Sequence, residues 1–355
     1  MRKMAEDIRM DSHKLIYHPA RVAAWLKGET IYPIELEVGL SGACNHRCIF
    51  CAVDYMEYKP VFLSLKVMAD NLKICGQKGV KSVIYAGEGE PLLNPNAPEI
   101  FNLTKENGID AALSTNGVLL TEEKASACLK SLTWVRFSIA GATEKTYSTI
   151  HRAKPGDLTK ALANMESAVA VKRRQKLPVT LGAQMLLLPE NKAEVIELAK
   201  IMREIGLDYF TVKPFSQHPS SKAKINVDYS EAAEIWRELH NYETEDFKIY
   251  FRSQSIENLT QKKSYDECHG LPFMAHITAS GDVCPCVVFM DGDFCYGNIN
   301  EETFDKIWES ERAREIRSRF SREFISKYCR QNCRLDEMNK YLHTLKNPGG
   351  HVNFI

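Results

Sequence analysis

The sequence predicts an α/β fold in which helices pack outside a parallel β-sheet, followed by a small cysteine-rich segment. Two observations predict it. Between residues 33 and 213, six apolar strand-like runs alternate with amphipathic helical patterns, an order typical of parallel sheets. Six of the eleven cysteines then lie between Cys268 and Cys333. Periodicity alone leaves open whether the sheet is a partial barrel or an open, flavodoxin-like sheet.

The elements are predicted from the spacing of apolar residues, which is two in strands and three to four in helices. The predicted strands are 33–40, 80–86, 110–114, 135–139, 179–187 and 209–213. The predicted helices are 64–78, 95–107, 121–130, 157–174 and 191–205. Ser64 is expected to cap the first of these helices, because its hydroxyl can accept from an unpaired backbone N–H.

Composition limits the class of protein. The chain has 355 residues, 44% of them hydrophobic, enough for one large domain with an appendage or for two domains. Lys+Arg and Asp+Glu are equal at 46 each, which disfavours nucleic acid as the main partner. No apolar run is long enough to span a membrane, and the N-terminus lacks a signal-peptide core. A cytoplasmic location is therefore expected.

The cysteines carry the strongest chemical signal. In a reducing cytosol they are expected to be metal ligands or catalytic groups rather than disulfides. Cys75 and Cys128 stand alone within helical patterns, so both are interpreted as small core residues.

Cys44, Cys48 and Cys51 form a C-x3-C-x2-C run. Three thiolates this close suit a soft metal centre. Ferredoxin-type clusters take four cysteines, so three local ligands would leave one iron with an open site for a substrate or cofactor. Buried thiols, or three ligands of a zinc site, are the alternatives.

This run, with the aromatic Phe50 before its last cysteine, resembles the cluster motif of the radical S-adenosylmethionine (SAM) superfamily. The resemblance implies a partial (β/α)6 TIM-like barrel and a [4Fe–4S] cluster whose open iron chelates SAM. It further implies that reduction, by a donor such as flavodoxin or ferredoxin, cleaves SAM to a 5′-deoxyadenosyl radical that abstracts a hydrogen atom from the substrate.

Other motifs at predicted strand ends fit the same resemblance. The run 87–91 looks like the family's GGEP element, which binds the SAM amino group, although a plain βα turn would also account for it. Strand ends three and four match positions that contact the SAM ribose and carboxylate, and Arg152 could alternatively form a surface ion pair. The residues implied to bind the cofactor are Phe50, Gly87, Glu88, Gly89, Glu90, Ser114, Asn116, Ser138 and Arg152.

The C-terminal cysteines resemble the SPASM/twitch extension of radical SAM enzymes, through the Cys268–Gly281–Cys286 spacing and a following Gly-Asn-Ile run. Six cysteines are too few for two four-cysteine clusters, so one auxiliary [4Fe–4S] cluster is expected. Its expected ligands are Cys268, Cys286, Cys329 and Cys333, and a zinc site is the alternative. The implied division is an N-terminal extension (1–33), barrel (34–220), helical connection (221–262) and auxiliary domain (263–355).

Two cysteines, Cys284 and Cys295, are left over. Radical SAM epimerases resemble this arrangement, with a cysteine that returns a hydrogen atom to the substrate radical. Cys295 is the first choice for such a donor and Cys284 the second. Alternatively, both are inert or one is a cluster ligand.

The substrate is not specified by any motif. SPASM/twitch relatives act on ribosomal peptides, protein side chains, or carbohydrates and aminocyclitols. Only about 33 residues precede the first strand, fewer than a leader-binding domain needs. A small polar substrate (a sugar, aminocyclitol or nucleotide sugar) is therefore expected, with epimerisation or dehydrogenation as the reaction. The alternative is epimerisation, crosslinking or oxidation of a ribosomally made peptide or a protein side chain. An electron-transfer protein and a zinc-stabilised binding module are the non-enzymatic alternatives.

Overall fold

A computed structural model describes residues 12–354, and residues 1–11 of the predicted N-terminal extension lie outside this range. Over the described range the strands form one ten-stranded sheet, in the order β10-β9-β8-β1-β2-β3-β4-β5-β6-β7. The strands are β1 Glu35–Val38, β2 Ser82–Tyr85, β3 Asp110–Thr115, β4 Leu132–Ser138, β5 Thr180–Leu187, β6 Tyr209–Pro214, β7 Lys248–Phe251, β8 Met274–Ile277, β9 Asp282–Cys284 and β10 Gly297–Asn298.

Strands β1 to β6 are the six predicted ones, and neighbours pair in parallel. Two further parallel strands extend the barrel: β7 pairs with β6, and β8 pairs with β1. Strands β9 and β10 continue the sheet in antiparallel pairing. A mostly parallel α/β sheet, as expected for a partial TIM-like barrel, is confirmed, with more strands than predicted.

The helices pack against this sheet and connect its strands. They are α1 Pro19–Leu26, α2 Leu65–Gln77, α3 Ala97–Glu106, α4 Glu122–Cys128, α5 Glu144–His151, α6 Asp157–Arg174, α7 Val195–Ile205, α8 Ala232–Leu239, α9 Ser253–Glu257, α10 Phe304–Glu309, α11 Glu311–Ser318, α12 Arg322–Tyr328 and α13 Asp336–Lys346. Ser64 caps α2 as predicted, with its Oγ accepting from Val67 N at 3.2 Å. Helix α6 has the predicted bounds.

Apolar residues on both faces of the sheet build one continuous core. Val38, Val83, Leu113 and Val135 on successive strands are fully buried, as expected where helices cover a parallel sheet. Cys75 and Cys128 are 1% and 0% exposed, which fits their interpretation as core residues.

The C-terminal segment shares the sheet of the barrel. Strand β8 lies beside β1 with Glu35 opposite Met274 and Val38 opposite Ile277. The region predicted as a purely helical connection, 221–262, contains α8 and α9 but also β7. The sheet therefore runs without interruption from the barrel into the cysteine-rich segment.

Over the described part of the chain, no helix combines the length and apolar character needed to cross a bilayer.

Candidate active site

The predicted site residues gather at the carboxyl ends of the parallel strands, the edge where barrel enzymes form their sites. A cavity of about 400 Å³ opens there. Among the residues lining it are Phe50, Cys51, Gly87 and Ser138 from the barrel, and Cys286 and Cys333 from the C-terminal segment. Both groups of predicted metal-ligating cysteines thus face one cavity.

Cys44, Cys48 and Cys51 lie together in the loop after β1. Burial raises the pKa of each thiol, and the charge of Cys44 and Cys51 further raises that of Cys48. Three thiolates so placed repel one another, and a shared metal centre would offset that repulsion. The Tyr58 hydroxyl donates to the Cys51 sulfur, which lowers the Cys51 pKa against the effect of burial.

His151, at the end of α5, contacts this cysteine loop. Its Nδ1 lies 3.1 Å from Cys48 Sγ, and its Nε2 lies 3.0 Å from the backbone N–H of Ala140. Burial lowers the pKa of His151 to about 3, so the ring is neutral. His46 on the same loop is held by Asp157, with Nε2 and Oδ2 3.3 Å apart.

The run after β2 packs tightly on the cysteine loop. A Cβ at Gly89 would lie 2.2 Å from Ala43 O and 2.3 Å from Ser41 O, so only glycine fits there. The buried Glu90 carboxylate accepts from Thr115 Oγ1 at 2.7 Å and Asn116 N at 2.9 Å. Burial raises the pKa of Glu90 despite these bonds. Glu90 therefore ties the end of β2 to the end of β3.

The Glu88 side chain faces the C-terminal segment. Its Oε1 accepts from Ala279 N at 2.5 Å, and its Oε2 faces His276 Nε2 at 3.6 Å. Both partners belong to β8 or the turn after it, and Glu88 is 5% exposed. The carboxylate thus links the barrel to the C-terminal segment.

The remaining predicted cofactor residues occupy different positions around the rim. Asn116 Nδ2 donates to Asn45 Oδ1 at 2.7 Å, which fixes the cysteine loop to β3. Ser114 Oγ accepts from Arg136 at 3.3 Å and does not line the cavity. Arg152 is exposed at the end of α5, close enough to Cys48 for its charge to lower that thiol's pKa. Of this group, only Phe50, Gly87 and Ser138 line the cavity.

Cys268, Cys286, Cys329 and Cys333 come together as predicted for the auxiliary site. After burial, the charges of the other three thiols are among the largest causes that raise the pKa of Cys268. Asn339 Nδ2 donates to Cys268 Sγ, and Leu335 N donates to Cys333 Sγ, each at 3.5 Å. Four thiols with N–H donors around them suit an iron–sulfur cluster.

Cys284 and Cys295 are joined by a disulfide. The β9–β10 hairpin brings them together, and they pack with Met290 against Val53 and Tyr55. Neither cysteine lines the cavity. A disulfide sulfur carries no hydrogen, so the hydrogen-donor roles predicted for Cys295 and Cys284 require this pair to be reduced first.

Some cavity residues were not singled out from the sequence. Arg252, Arg330 and Arg334 line the cavity from the segment after β7 and from the C-terminal loop. No local pattern brings them together, because they are far apart along the chain. Gln184 on β5 and Lys213 on β6 also line the cavity, and their polar side chains at predicted strand ends already suggest contact with substrate.

The donor sets fit the two implied cofactors. Cys44, Cys48 and Cys51 would hold a [4Fe–4S] cluster and leave one iron for SAM. The other four cysteines supply one complete ligand set. Each set is reached by the same cavity.

Two family models match the chain. The model described as the radical SAM superfamily matches residues 38–202, and that of an iron–sulfur cluster-binding domain, SPASM, matches residues 268–334. The second match begins at Cys268 and ends one residue after Cys333, so it contains all four cysteines of the auxiliary set.

Three curated proteins illustrate the similarity. A tungsten-containing aldehyde ferredoxin oxidoreductase cofactor-modifying protein of Pyrococcus furiosus is 23% identical, over 78% of this chain and 81% of that protein. The AdoMet-dependent heme synthase of Methanosarcina barkeri is 25% identical, over 76% and 80%. The PqqA peptide cyclase of Gluconobacter oxydans is 24% identical, over 78% and 76%.

Solved structures share the fold. Streptococcus suis SuiB, crystallised with its precursor peptide SuiA, matches with a TM-score of 0.65 and 18% identity, over 88% of this chain and 76% of SuiB. The protein anSMEcpe, with bound AdoMet and the Cp18Cys peptide, matches with a TM-score of 0.57 and 15% identity, over 88% and 96%.

These matches identify the cofactors as a SAM-binding [4Fe–4S] cluster, an auxiliary iron–sulfur cluster and SAM itself. They also agree with the fold, in which both cysteine groups face one cavity. The chain belongs to the radical SAM superfamily and is a radical SAM enzyme with a C-terminal SPASM-type iron–sulfur domain.

Proposed function

We propose that this enzyme modifies a side chain of a ribosomally made peptide or a protein by SAM-derived radical chemistry. One observation carries the proposal: a single cavity of about 400 Å³ is lined by Cys51 of the first cysteine group and by Cys286 and Cys333 of the second. A space of this size holds one side chain or one small molecule. A substrate group placed there lies between the two metal sites.

The comparisons favour a peptide over the sugar-like substrate expected from the sequence. PqqA peptide cyclase is named for a peptide substrate, and SuiB and anSMEcpe were crystallised with peptides. The expectation of a small substrate rested on the short stretch before the first strand. A small molecule remains the second candidate, supported by the heme synthase relative and the size of the cavity.

The roles of the chain's own residues follow from their placement. Cys44, Cys48 and Cys51 would hold the first cluster, and Glu90 and Asn116 shape the loops around it. When bound and reduced, by a donor such as flavodoxin or ferredoxin, that cluster supplies a 5′-deoxyadenosyl radical from SAM. Phe50, Gly87, Ser138 and Gln184 line the cavity, so the target C–H bond would be positioned among these residues.

Oxidation or crosslinking is favoured over epimerisation. An oxidation removes a hydrogen atom, one further electron and one proton from the substrate, and a cluster held by Cys268, Cys286, Cys329 and Cys333 would accept that electron. In an epimerisation, a thiol returns the hydrogen atom instead. Cys284 and Cys295 share a disulfide outside the cavity lining, so the first route needs no change in the chain and the second needs a reductant for this pair.

Deuterium transfer tests the substrate class. An extract of the source organism grown in deuterated medium is separated by size into a peptide and protein fraction and a small-molecule fraction. Each is incubated with the anaerobically reconstituted enzyme, SAM and dithionite, and 5′-deoxyadenosine is analysed by mass spectrometry.

Deuterated 5′-deoxyadenosine from the peptide and protein fraction, abolished by prior digestion with a broad protease, is the expected result. Deuterium transfer from the small-molecule fraction alone would overturn the proposal in favour of the second candidate. The Cys44/Cys48/Cys51 triple Ala variant is the control for cluster-independent exchange, and it should give no deuterated product.

A further inference from the structure

The cavity between the two cysteine groups is lined by four basic residues, Lys213, Arg252, Arg330 and Arg334, and by three acidic ones, Glu37, Asp336 and Glu337. Each of these carboxylates has a basic partner: Arg334 for Glu37, Lys263 for Asp336 and Lys340 for Glu337. Arg334 is paired with two carboxylates, Glu35 at 3.2 Å and Glu37 in a shorter contact. Its charge is therefore balanced within the protein.

The guanidinium group of Arg330 also has hydrogen-bond partners within the protein. Its Nη2 donates to Ser216 O at 2.9 Å and its Nε donates to Ser216 Oγ at 3.3 Å. Burial lowers the pKa of Arg330 most, and the charges of Cys333 and Cys286 have the next largest effects and raise it. A thiolate-ligated iron–sulfur cluster is negative overall, so Arg330 is placed to offset the auxiliary cluster.

Lys213 differs from both. It lies near the carboxyl end of β6 and is partly buried, yet among residues 12–354 it makes no hydrogen bond or ion pair. The groups with the largest electrostatic effect on it are Arg136, Arg330, Arg252 and Arg334, all of the same sign. Burial and these like charges lower the pKa of Lys213 well below its usual value, and an anion bound beside the amine would favour its charged form. The unpaired amine at the cavity wall therefore suits an anionic ligand.

We propose that Lys213, flanked by Arg252 and Arg330, forms a subsite for an anionic group of the substrate, a carboxylate or a phosphate. This inference rests on the proposed function in that it places the subsite in the substrate cavity. For a peptide, the group would be the carboxylate of an acidic residue at or beside the modified position. An ammonium group flanked by guanidinium groups recognises either anion by charge-assisted hydrogen bonds.

Binding of simple probes tests the subsite without turnover. The probes are the N-acetyl methylamides of glutamate and glutamine, and inorganic phosphate, added to the anaerobically reconstituted enzyme. Binding is measured as the rise in Tm with probe concentration, which reports Kd. The variants are Lys213→Met, Lys213→Arg and, as a matched control, Lys130→Met, an exposed lysine that precedes β4.

The glutamate probe is expected to raise Tm and the glutamine probe to leave it unchanged. Lys213→Met should weaken glutamate binding at least tenfold, Lys213→Arg should retain most of it, and Lys130→Met should match the wild type. Stronger binding of phosphate than of glutamate would identify a phosphate subsite. Equal binding by wild type and Lys213→Met, or equal binding of both amide probes, would overturn the subsite.

The Met variant is expected to fold, because replacing a buried, unpaired ammonium by an apolar chain removes a desolvation cost. The result is also separable from the substrate class. Glutamate binding with deuterium transfer only from small molecules would keep the anionic subsite and refute the peptide. Deuterium transfer from peptides, without binding of the glutamate probe or phosphate, would support the peptide substrate and refute the anionic subsite.

A second inference comes from the contacts of His151. A backbone amide can only donate, so the 3.0 Å contact with Ala140 N makes Nε2 an acceptor without a proton. A neutral imidazole then carries its proton on Nδ1. That nitrogen lies 3.1 Å from Cys48 Sγ, so His151 donates an N–H to the sulfur.

We infer that His151 is a positioning residue that sets the reduction potential of the cluster held by Cys48. Hydrogen bonds to cysteine sulfurs are among the features that tune the potentials of iron–sulfur clusters, and stabilising the added negative charge makes reduction easier. The surrounding contacts fix the ring: Phe50 meets it edge-on at 5.5 Å and Tyr147 packs on it at 4.3 Å.

The measurement is a redox titration followed by EPR, with the SAM-binding cluster identified by the change in its signal when SAM is added. His151→Phe should shift its midpoint potential to a more negative value, and His151→Gln, which keeps an N–H donor, should restore part of the shift. Tyr147→Phe is the matched control, since the Tyr147 hydroxyl makes no hydrogen bond among the described residues. An unchanged potential in His151→Phe at full iron content would overturn the inference.

Discussion

The contact between Gly89 and the cysteine loop leads to a specific prediction for Gly89→Ala. The new Cβ would lie 2.2 Å from Ala43 O and 2.3 Å from Ser41 O, whereas side-chain carbons essentially never approach closer than 3.0 Å. The difference is 0.8 Å, and both obstacles are backbone atoms. The loop that holds Cys44 therefore has to move by about that distance.

A displacement of about 1 Å costs on the order of 100-fold in rate where reacting groups must be aligned. We expect Gly89→Ala to reduce the rate of SAM cleavage by about that factor. The assay is 5′-deoxyadenosine formation with excess dithionite, together with iron per chain. Helix content by circular dichroism should stay unchanged, because Gly89 lies in a loop.

Gly292→Ala is the matched control, since a Cβ there meets nothing within 4 Å and the backbone is not left-handed. A Gly89→Ala enzyme that cleaves SAM within twofold of Gly292→Ala, at the same iron content, would refute the steric argument. It would mean that the loop does not depend on this close approach.

Three further outcomes are expected. The iron content should be about eight atoms per chain in the wild type and about four in the Cys44/Cys48/Cys51 triple Ala variant. Values of about four and none would contradict the presence of an auxiliary iron–sulfur cluster. Cys295→Ala should spare an oxidation and stop an epimerisation, read out as solvent deuterium in the product. Glu194→Gln should lower the free energy of unfolding by about 1 kcal/mol at pH 7, because the carboxylate accepts from Ala142 N and Thr143 N. Burial raises the Glu194 pKa, but the hydrogen bond from Thr146 Oγ1 and those from Ala142 and Thr143 outweigh it and lower the pKa below its usual value of 4.5. The Tm difference from wild type should therefore persist above pH 4.5 and shrink as pH falls through the folded-state pKa. A difference that grows in acid would contradict this account.

Much of the barrel could be predicted because its signals are local. The apolar run before each turn predicted β1 to β6, and the Ser64 cap and the bounds of α6 followed from side chains next to the helix ends. Strands β7 and β8 are as short as β1 and β2, and they were missed because they lie outside the predicted run of β-α alternations. Their place in the sheet depends on partners far away in sequence.

The site was predictable to the same degree. The grouping of Cys268, Cys286, Cys329 and Cys333 followed from their spacing. The direction of the Glu88 side chain did not, because it is set by Ala279 and His276, about 190 residues later. The sequence also did not predict that Lys213 lies near Arg252, Arg330 and Arg334, because only the assembled sheet brings these residues together.

The pairing of β8 with β1 has a mechanical consequence. Strand β1 leads into the cysteine loop, and its hydrogen bonds to β8 hold the start of the auxiliary domain in register with it, while Glu88 adds a buried link to the turn that follows. The two metal sites are thus fixed to one rigid lattice of backbone hydrogen bonds. We therefore expect the electron path between them to keep its length when the substrate enters.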